Sequence, residues 1–198
     1  MRPSGRWRPK KFILSRVPPA EPSGIKISVR QLFVSDLRHS AWANQQLLDA
    51  CVERTAEELE RGFQISHSTI LATLRHLYDG ERVWLDCLRT TAPGGKWVLP
   101  IGEAPRLTLR ELRQMWPELW NGYVTWLEKL AKPEAELEAE LFVSLPDRSV
   151  PLFKRRIVLR HVLDHSQFHR GQVVGMIRGL GYTPPTTSRA DYWLAGGD

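Results

Sequence analysis

RHVLDHSQFHRGQVVGMIRGLG, residues 160–181, is the stretch on which the fold turns. It lies inside a helical pattern that runs from about Phe153 to Arg178. Gly179 or Gly181 supplies the C-terminal stop ahead of Pro184 and Pro185, because glycine adopts the conformation that closes a helix and proline cannot continue one. His161, His165 and His169 stand at successive intervals of four. Each such step turns the helix by only about 40° and lifts it about 6 Å, so two neighbouring imidazoles can point at one atom from adjacent turns. All three cannot, since about 12 Å of rise separates the outer two and a metal bond to imidazole is only about 2.1 Å long. A single ion takes His161 with His165, or His165 with His169.

A third ligand has to come from elsewhere. His76 is the best placed, midway along another helix whose polar side there is Thr73, His76 and Gly80. A glycine inside a helix costs roughly 1 kcal/mol, so Gly80 needs a compensating reason, such as room for a water or a substrate beside an ion. Gly171, two residues past His169, raises the same question. His39 follows Arg38 on the outer flank of the first helix and is expected in solvent. His67 is expected at the N-terminal start of the helix that carries His76, where about 13 Å of rise keeps it out of the same coordination shell.

Working outward, Phe33, Leu37, Ala41, Leu48 and Cys51 recur on one helical face from Val29 to about residue 52. Thr55 and Glu58 have the spacing of a capping box and announce a short turn that Gly62 ends. Ile70, Leu74, Leu77, Trp84 and Leu88 predict a second long helix from about Ser68 to Leu88, packed antiparallel on the first. Residues 91–107, with three prolines and three glycines, read as a crossing loop. Thr108 and Glu111 open a third long helix, which Pro117 should bend or split and Pro133 should end. The stretch 141–153 is expected to form a small hairpin or an irregular crossing around Pro146. Four long helices joined by one or two long connections predict an all-α protein, a four-helix bundle with a short hairpin before the last long helix.

The net charge of +6 suggests nucleic acid until it is located. Residues 1–28 hold seven basic side chains and one acid, while the remainder carries 21 of each sign. A domain of zero net charge lacks the footprint of a nucleic-acid binder. The aperiodic, Pro- and Arg-rich segment 1–28 reads as a disordered basic extension to a domain over 29–198. No apolar run reaches the roughly 20 residues of a membrane span, and no signal-peptide core is present, so a cytoplasmic protein without membrane contact is expected. Cys51 and Cys87 are the only cysteines and read as small core residues. Trp116, Trp120 and Trp126 read as aromatic core ahead of a dimer face.

Taken together, AWANQQLL (41–48), TLRHLYDGERVWL (73–85) and RHVLDHSQFHRGQVVGMIRGLGYTPP (160–185) resemble the DinB/YfiT-like metalloenzymes over about residues 29–194. The most specific part is HxxxHRGQ combined with the earlier HLxxxExxW. The resemblance implies an up-and-down-type four-helix bundle, often a homodimer, with a divalent nickel or zinc ion on three histidines. Carried over by position, these are His76, His165 and His169, which favours the later helical pair. His161 matches a position that often bears histidine and takes a supporting, site-lining role. Asp164 stands where relatives commonly have Asn, an added acid that could orient a histidine or adjust the charge at the ion.

Three neutral imidazoles leave a divalent ion with an open position, the arrangement of a catalytic more than a structural site. Such an ion acts as a Lewis acid on water, giving hydrolysis, or on a thiol, giving transfer to an electrophile. The resemblance implies thiol-dependent S-transferases and isomerases that use a low-molecular-weight thiol, which puts thiol transfer first among reactions. Glu81 and Asp164 are the acid–base candidates. The alternatives are a non-catalytic metal-binding or sensing bundle, a DNA-associated damage-response protein acting through the basic tail, and a structural bundle whose histidines merely pack.

Overall fold

A computed structural model describes residues 27–65, 67–100, 106–147 and 149–197. The basic segment 1–26 and residues 66, 101–105, 148 and 198 lie outside the described residues. The first long helix, α1 (Val29–Val52), starts where the apolar spacing starts, because Ser28 accepts a hydrogen bond from the Gln31 amide and Gln31 reaches back in a capping box. Thr55 and Glu58 form the second such box over the single turn α2 (Ala56–Leu59). Thr69 caps α3 (Ile70–Thr90), so this helix begins two residues later than the spacing suggests. Each side-chain cap satisfies an orphan amide and contributes about 1 kcal/mol.

The loop after α3 contains a strand that the Pro and Gly content conceals. In β1 (Lys96–Val98) only Trp97 points inward, and its indole Nε1 donates to Asp86 Oδ2 at 3.2 Å. The next helix, α4 (Leu109–Glu128), opens with the Thr108–Glu111 box and stays a single helix through Pro117, which costs it one backbone hydrogen bond without splitting it. Pro133 does not end this helix. It opens a separate short one, α5 (Pro133–Glu138), at the N-terminal position where a missing amide hydrogen costs nothing. The expected hairpin exists as β2 (Glu140–Ser144) paired antiparallel with β3 (Leu152–Lys154), and β1 adds to β2 in parallel, giving a three-stranded sheet of order β1-β2-β3. The last long helix, α6 (Arg155–Gly179), begins directly after β3. It is stopped by Gly181 at φ +91°, not by Gly179. The Gly181 amide bonds the Arg178 carbonyl at 2.9 Å and the Tyr182 amide bonds Ile177 at 3.2 Å. This paired return caps the helix end.

The four long helices form an all-α bundle in which α1 packs on α4 and α6, and α3 packs on α6 and α4. Thus α1 and α3 face each other across a diagonal, and the expected direct pairing of these two helices is not formed. The connection through α2 is long enough to carry the chain across the end of the bundle. Trp116 and Trp120 belong to the core at 1% and 2% exposure. Both thiols are buried, and burial pushes Cys51 up to about 12 and Cys87 up to about 11, far from nucleophilic use. The closing helix α7 (Arg189–Leu194) lies on α1: Tyr192 meets His39 and Trp42, and Arg189 pairs with Asp36. His39 is therefore half-buried, with Nε2 3.1 Å from the Thr187 carbonyl, instead of standing in solvent. No helix among the described residues is long and apolar enough to cross a membrane.

At the centre of the bundle sits a polar cluster. The Glu81 carboxylate on α3 is 1% exposed and accepts from Asn44 Nδ2 on α1 at 3.2 Å, Ser166 Oγ on α6 at 2.7 Å and Trp116 Nε1 on α4. Tyr123 of α4 donates to the Glu81 carbonyl, and Arg170 Nη1 of α6 lies 3.2 Å from Asn44 Oδ1 and 3.3 Å from Ser40 Oγ. Burial pushes the Glu81 carboxyl up to about 7 against the opposing pull of these donors and the Arg170 charge. Removing one member strands the others without solvent. Glu81→Ala is expected to cost about 3–5 kcal/mol in urea unfolding at pH 7. Glu81→Gln, which keeps an accepting oxygen, should cost less than half as much.

Candidate metal centre

The heaviest packing in the bundle, α3 on α6, brings His76 to the later histidines. His76 Nε2 lies 3.1 Å from His165 Nε2, and the His169 ring centroid is 4.7 Å from that of His76 and 4.4 Å from that of His165. Two imidazole nitrogens each about 2.1 Å from one ion, at about 90–110° to each other, stand about 3.0–3.4 Å apart. The 3.1 Å contact fits that spacing. Two nitrogen lone pairs at such a distance repel unless a proton or a cation lies between them. His161 sits one turn earlier, its ring 5.5 Å from His165 and edge-on to Trp84 at 5.4 Å.

His67 joins this cluster, contrary to the expectation that rise along a helix keeps it away. His67, His76 and His169 are three residues whose ligand atoms all lie within 4.8 Å of one another, and the His67 ring stacks on His76 with centroids 3.8 Å apart. The helix rise does not apply, because α3 starts only after Thr69. His67 and Ser68 adopt φ +65° and +55°, folding the chain back over the first turns of α3. Left-handed backbone at a residue other than glycine costs of order 1–3 kcal/mol and persists where its surroundings enforce it. Here the Ser68 carbonyl accepts from the Phe63 amide at 2.7 Å and the Ser68 amide donates to Ile65 at 2.9 Å. Phe63 in turn packs so closely on Gly179 of α6 that a Cβ there would stand 2.8 Å from its ring.

His76 and His165 are kept neutral. Loss of solvation, reinforced by neighbouring imidazoles, pulls His76 down to about 4 and His165 down to about 3. At neutral pH both offer lone pairs. His169 is 4% exposed and its Nδ1 lies 2.8 Å from Gln172 Oε1. An amide oxygen only accepts, so the Nδ1 atom carries the proton and Nε2 is left free as a donor to a metal. Gly80 has its reason in the His165 ring: a Cβ at residue 80 would lie 3.3 Å from His165 Cε1. The space is taken by the imidazole and not reserved for water or substrate. A Cβ at Gly171 would meet nothing within 4 Å, so that glycine serves no close approach.

The two acid candidates stand apart from the histidines. Glu81 is spent on the central cluster, with Asn44, Trp116 and Ser166 as its carboxylate partners. Asp164 pairs with Arg160 on the exposed side of α6, at 2.6 and 2.9 Å. Sequence reasoning passed over His67, Gln172, Arg170 and Asn44. Gln172 and Arg170 lie in the HRGQ string itself, and Gln172 at three residues past His169 has the spacing of a helical side-chain contact. His67 carries no comparable signal, since its position depends on a left-handed turn.

Two outcomes follow from this geometry. Gly80→Ala should remove helical strain worth up to about 1 kcal/mol yet weaken metal binding several-fold by displacing His165, two opposite effects read by thermal unfolding and by calorimetric metal titration. For the metal-free protein, His76 and His165 titrate lower in the folded than in the unfolded chain. Between about pH 6.5 and about pH 3 the unfolded state therefore binds more protons, and stability falls as pH falls through that window, His76 contributing down to about 4 and His165 down to about 3. Urea midpoints across the window should show this slope, and His165→Gln should flatten it.

Two proteins of known sequence are similar to this chain over most of its length. Protein DinB of Bacillus subtilis (strain 168) is 23% identical over 159 residues, covering 79% of this chain and 88% of the relative. The Uncharacterized protein YizA of the same organism is 26% identical over 138 residues, covering 70% of this chain and 81% of the relative. The family model of the DinB family matches residues 28–195, from the cap of α1 to the end of α7. The chain belongs to the DinB family.

Proposed function

We propose that this chain holds a divalent metal ion, nickel or zinc, on His76, His165 and His169, and that it is a metal-dependent enzyme of the thiol S-transferase type. The observation that carries the reading is the convergence of neutral imidazoles from two helices, with the 3.1 Å contact between His76 and His165 at its heart. The donor set fits such an ion: nitrogen ligands, no carboxylate among the converging residues, and the charge of the cation left uncompensated toward an incoming anion or thiol. When bound, the ion supplies Lewis acidity.

The remaining work falls to the protein. Gln172 holds the His169 tautomer, Gly80 makes room for the His165 ring, and Ser166, bonded to Glu81, fixes the turn of α6 that lies between the two histidines. His161 and Trp84 border the His165 side. Neither buried thiol can act as a nucleophile, so a transferred group needs a small thiol from outside. A homodimer is part of this reading.

The test is elemental analysis of the purified chain and of single variants. His76→Ala, His165→Ala and His169→Ala should each lose metal at least tenfold, and His161→Ala much less. Equal metal content in all four variants overturns the ligand assignment. A panel of low-molecular-weight thiols and electrophiles should then show turnover in the metal-loaded chain, whereas binding without turnover marks a non-catalytic module.

A further inference from the structure

His67 differs from the other histidines of the cluster in what holds it. His76, His165 and His169 are fixed on long helices, and His169 is held further by its bond to Gln172. His67 rides on the connection between α2 and α3, is exposed, and its ring nitrogens have no hydrogen-bond partner among the described residues. Both ends of its loop are pinned. Phe63 packs on Gly179 at one end. At the other end Thr69 caps α3 and its hydroxyl bonds Glu60 at 3.3 Å, with Arg75 3.5 Å from the same carboxylate. Residues 64–68 lie between these anchors, residue 66 being outside the described residues, and His67 and Ser68 take left-handed φ. A ring with no bond of its own is nevertheless stacked on His76, with its donor atoms within 4.8 Å of those of His76 and His169.

We infer that His67 is a displaceable fourth donor, which closes the open side of the centre while no ligand is bound and swings out when a small donor molecule arrives. This inference rests on the three-histidine metal reading above and deepens it. The exchange is balanced: one nitrogen lone pair leaves the cation as the incoming lone pair takes its place, and no proton or electron moves. Displacement needs only rotation of the His67 side chain away from His76, which leaves the backbone bonds of Ser68 to Phe63 and Ile65 in place. The loop thereby excludes water from the empty centre, and the incoming ligand has to outcompete an imidazole already tethered beside it. The apparent affinity for that ligand is lowered by the fraction of molecules in which His67 is out.

The full-length chain loaded with cobalt(II) and titrated with imidazole provides the test, read by the visible absorption of the metal. If His67 is in place in about nine molecules of ten, His67→Ala should bind imidazole about tenfold more tightly than the wild type and hold cobalt several-fold more weakly. His67→Phe keeps a ring against His76 without a donor nitrogen and should behave like His67→Ala. Equal imidazole affinity in the wild type and both variants overturns the inference and leaves the three-histidine centre standing. So does a His67→Phe protein indistinguishable from wild type, since stacking alone then explains the contact. Loss of cobalt from His67→Ala as complete as from His76→Ala makes His67 a permanent ligand and also overturns the inference. A wild-type chain that takes up no cobalt removes the metal reading itself.

Discussion

A carboxylate buried in the middle of the bundle is the constraint to which the other elements answer. Taking the Glu81 side chain out of water is costly, and its neighbours offset that cost with an indole N–H, a hydroxyl, an amide and the field of a buried guanidinium. Those groups come from α1, α4 and α6, so the helices cannot slide or rotate without stranding a polar atom in the core. An apolar core tolerates small shifts of register, but this one does not. Because Ser166 lies between His165 and His169, the bond that satisfies Glu81 also sets the rotation of α6 about its axis, and with it the direction in which the two imidazoles point.

The histidine cluster sits on this frame with a rigid side and a looser one. On the rigid side, α3 and α6 approach until the His165 ring fills the place of a side chain at residue 80. On the looser side, the chain arrives through a left-handed tip that no helix includes. Burial suppresses protonation of His76 and His165, so the charge that the site lacks is the charge that a cation would bring. The exposed acid Asp164, which could have supplied a negative charge, is turned outward toward Arg160.

The long helices were legible because their signals are local: caps at Thr55 and Thr108, apolar spacing along α1 and α3, and histidines four apart on α6. What failed was non-local or depended on a backbone choice. Pro133 and Pro117 both look like breakers, yet one sits at a helix start where its missing hydrogen is harmless and the other is tolerated within a helix packed along the bundle. Trp97 gives no periodicity, and β1 exists because β2 offers it an edge some 45 residues further along the chain. The neighbours of α3 were misjudged because adjacency in sequence favours adjacency in space, and the α2 connection defeats that tendency. His76 and His169, two of the three residues whose ligand atoms lie within 4.8 Å of one another, belong to strong periodic patterns, as does His165 beside them. His67 was ruled out by a rise that applies only inside a helix.

The diagonal placement of α1 and α3 bears on the order in which the molecule can be completed as it is made. A bundle of sequential neighbours can pack each helix as it leaves the ribosome. In this chain the contacts that finish the centre join residues far apart: Ser166 to Glu81 across 85 positions, and Arg170 to Ser40 across 130. Until α6 has emerged, the Glu81 carboxylate lacks its Ser166 donor and the Asn44 amide oxygen lacks Arg170, and the apolar faces awaiting α6 stay open. Vectorial synthesis thus leaves the chain ahead of α6 as an unfinished, aggregation-exposed intermediate, and the segment that closes the core delivers the paired histidines at the same moment.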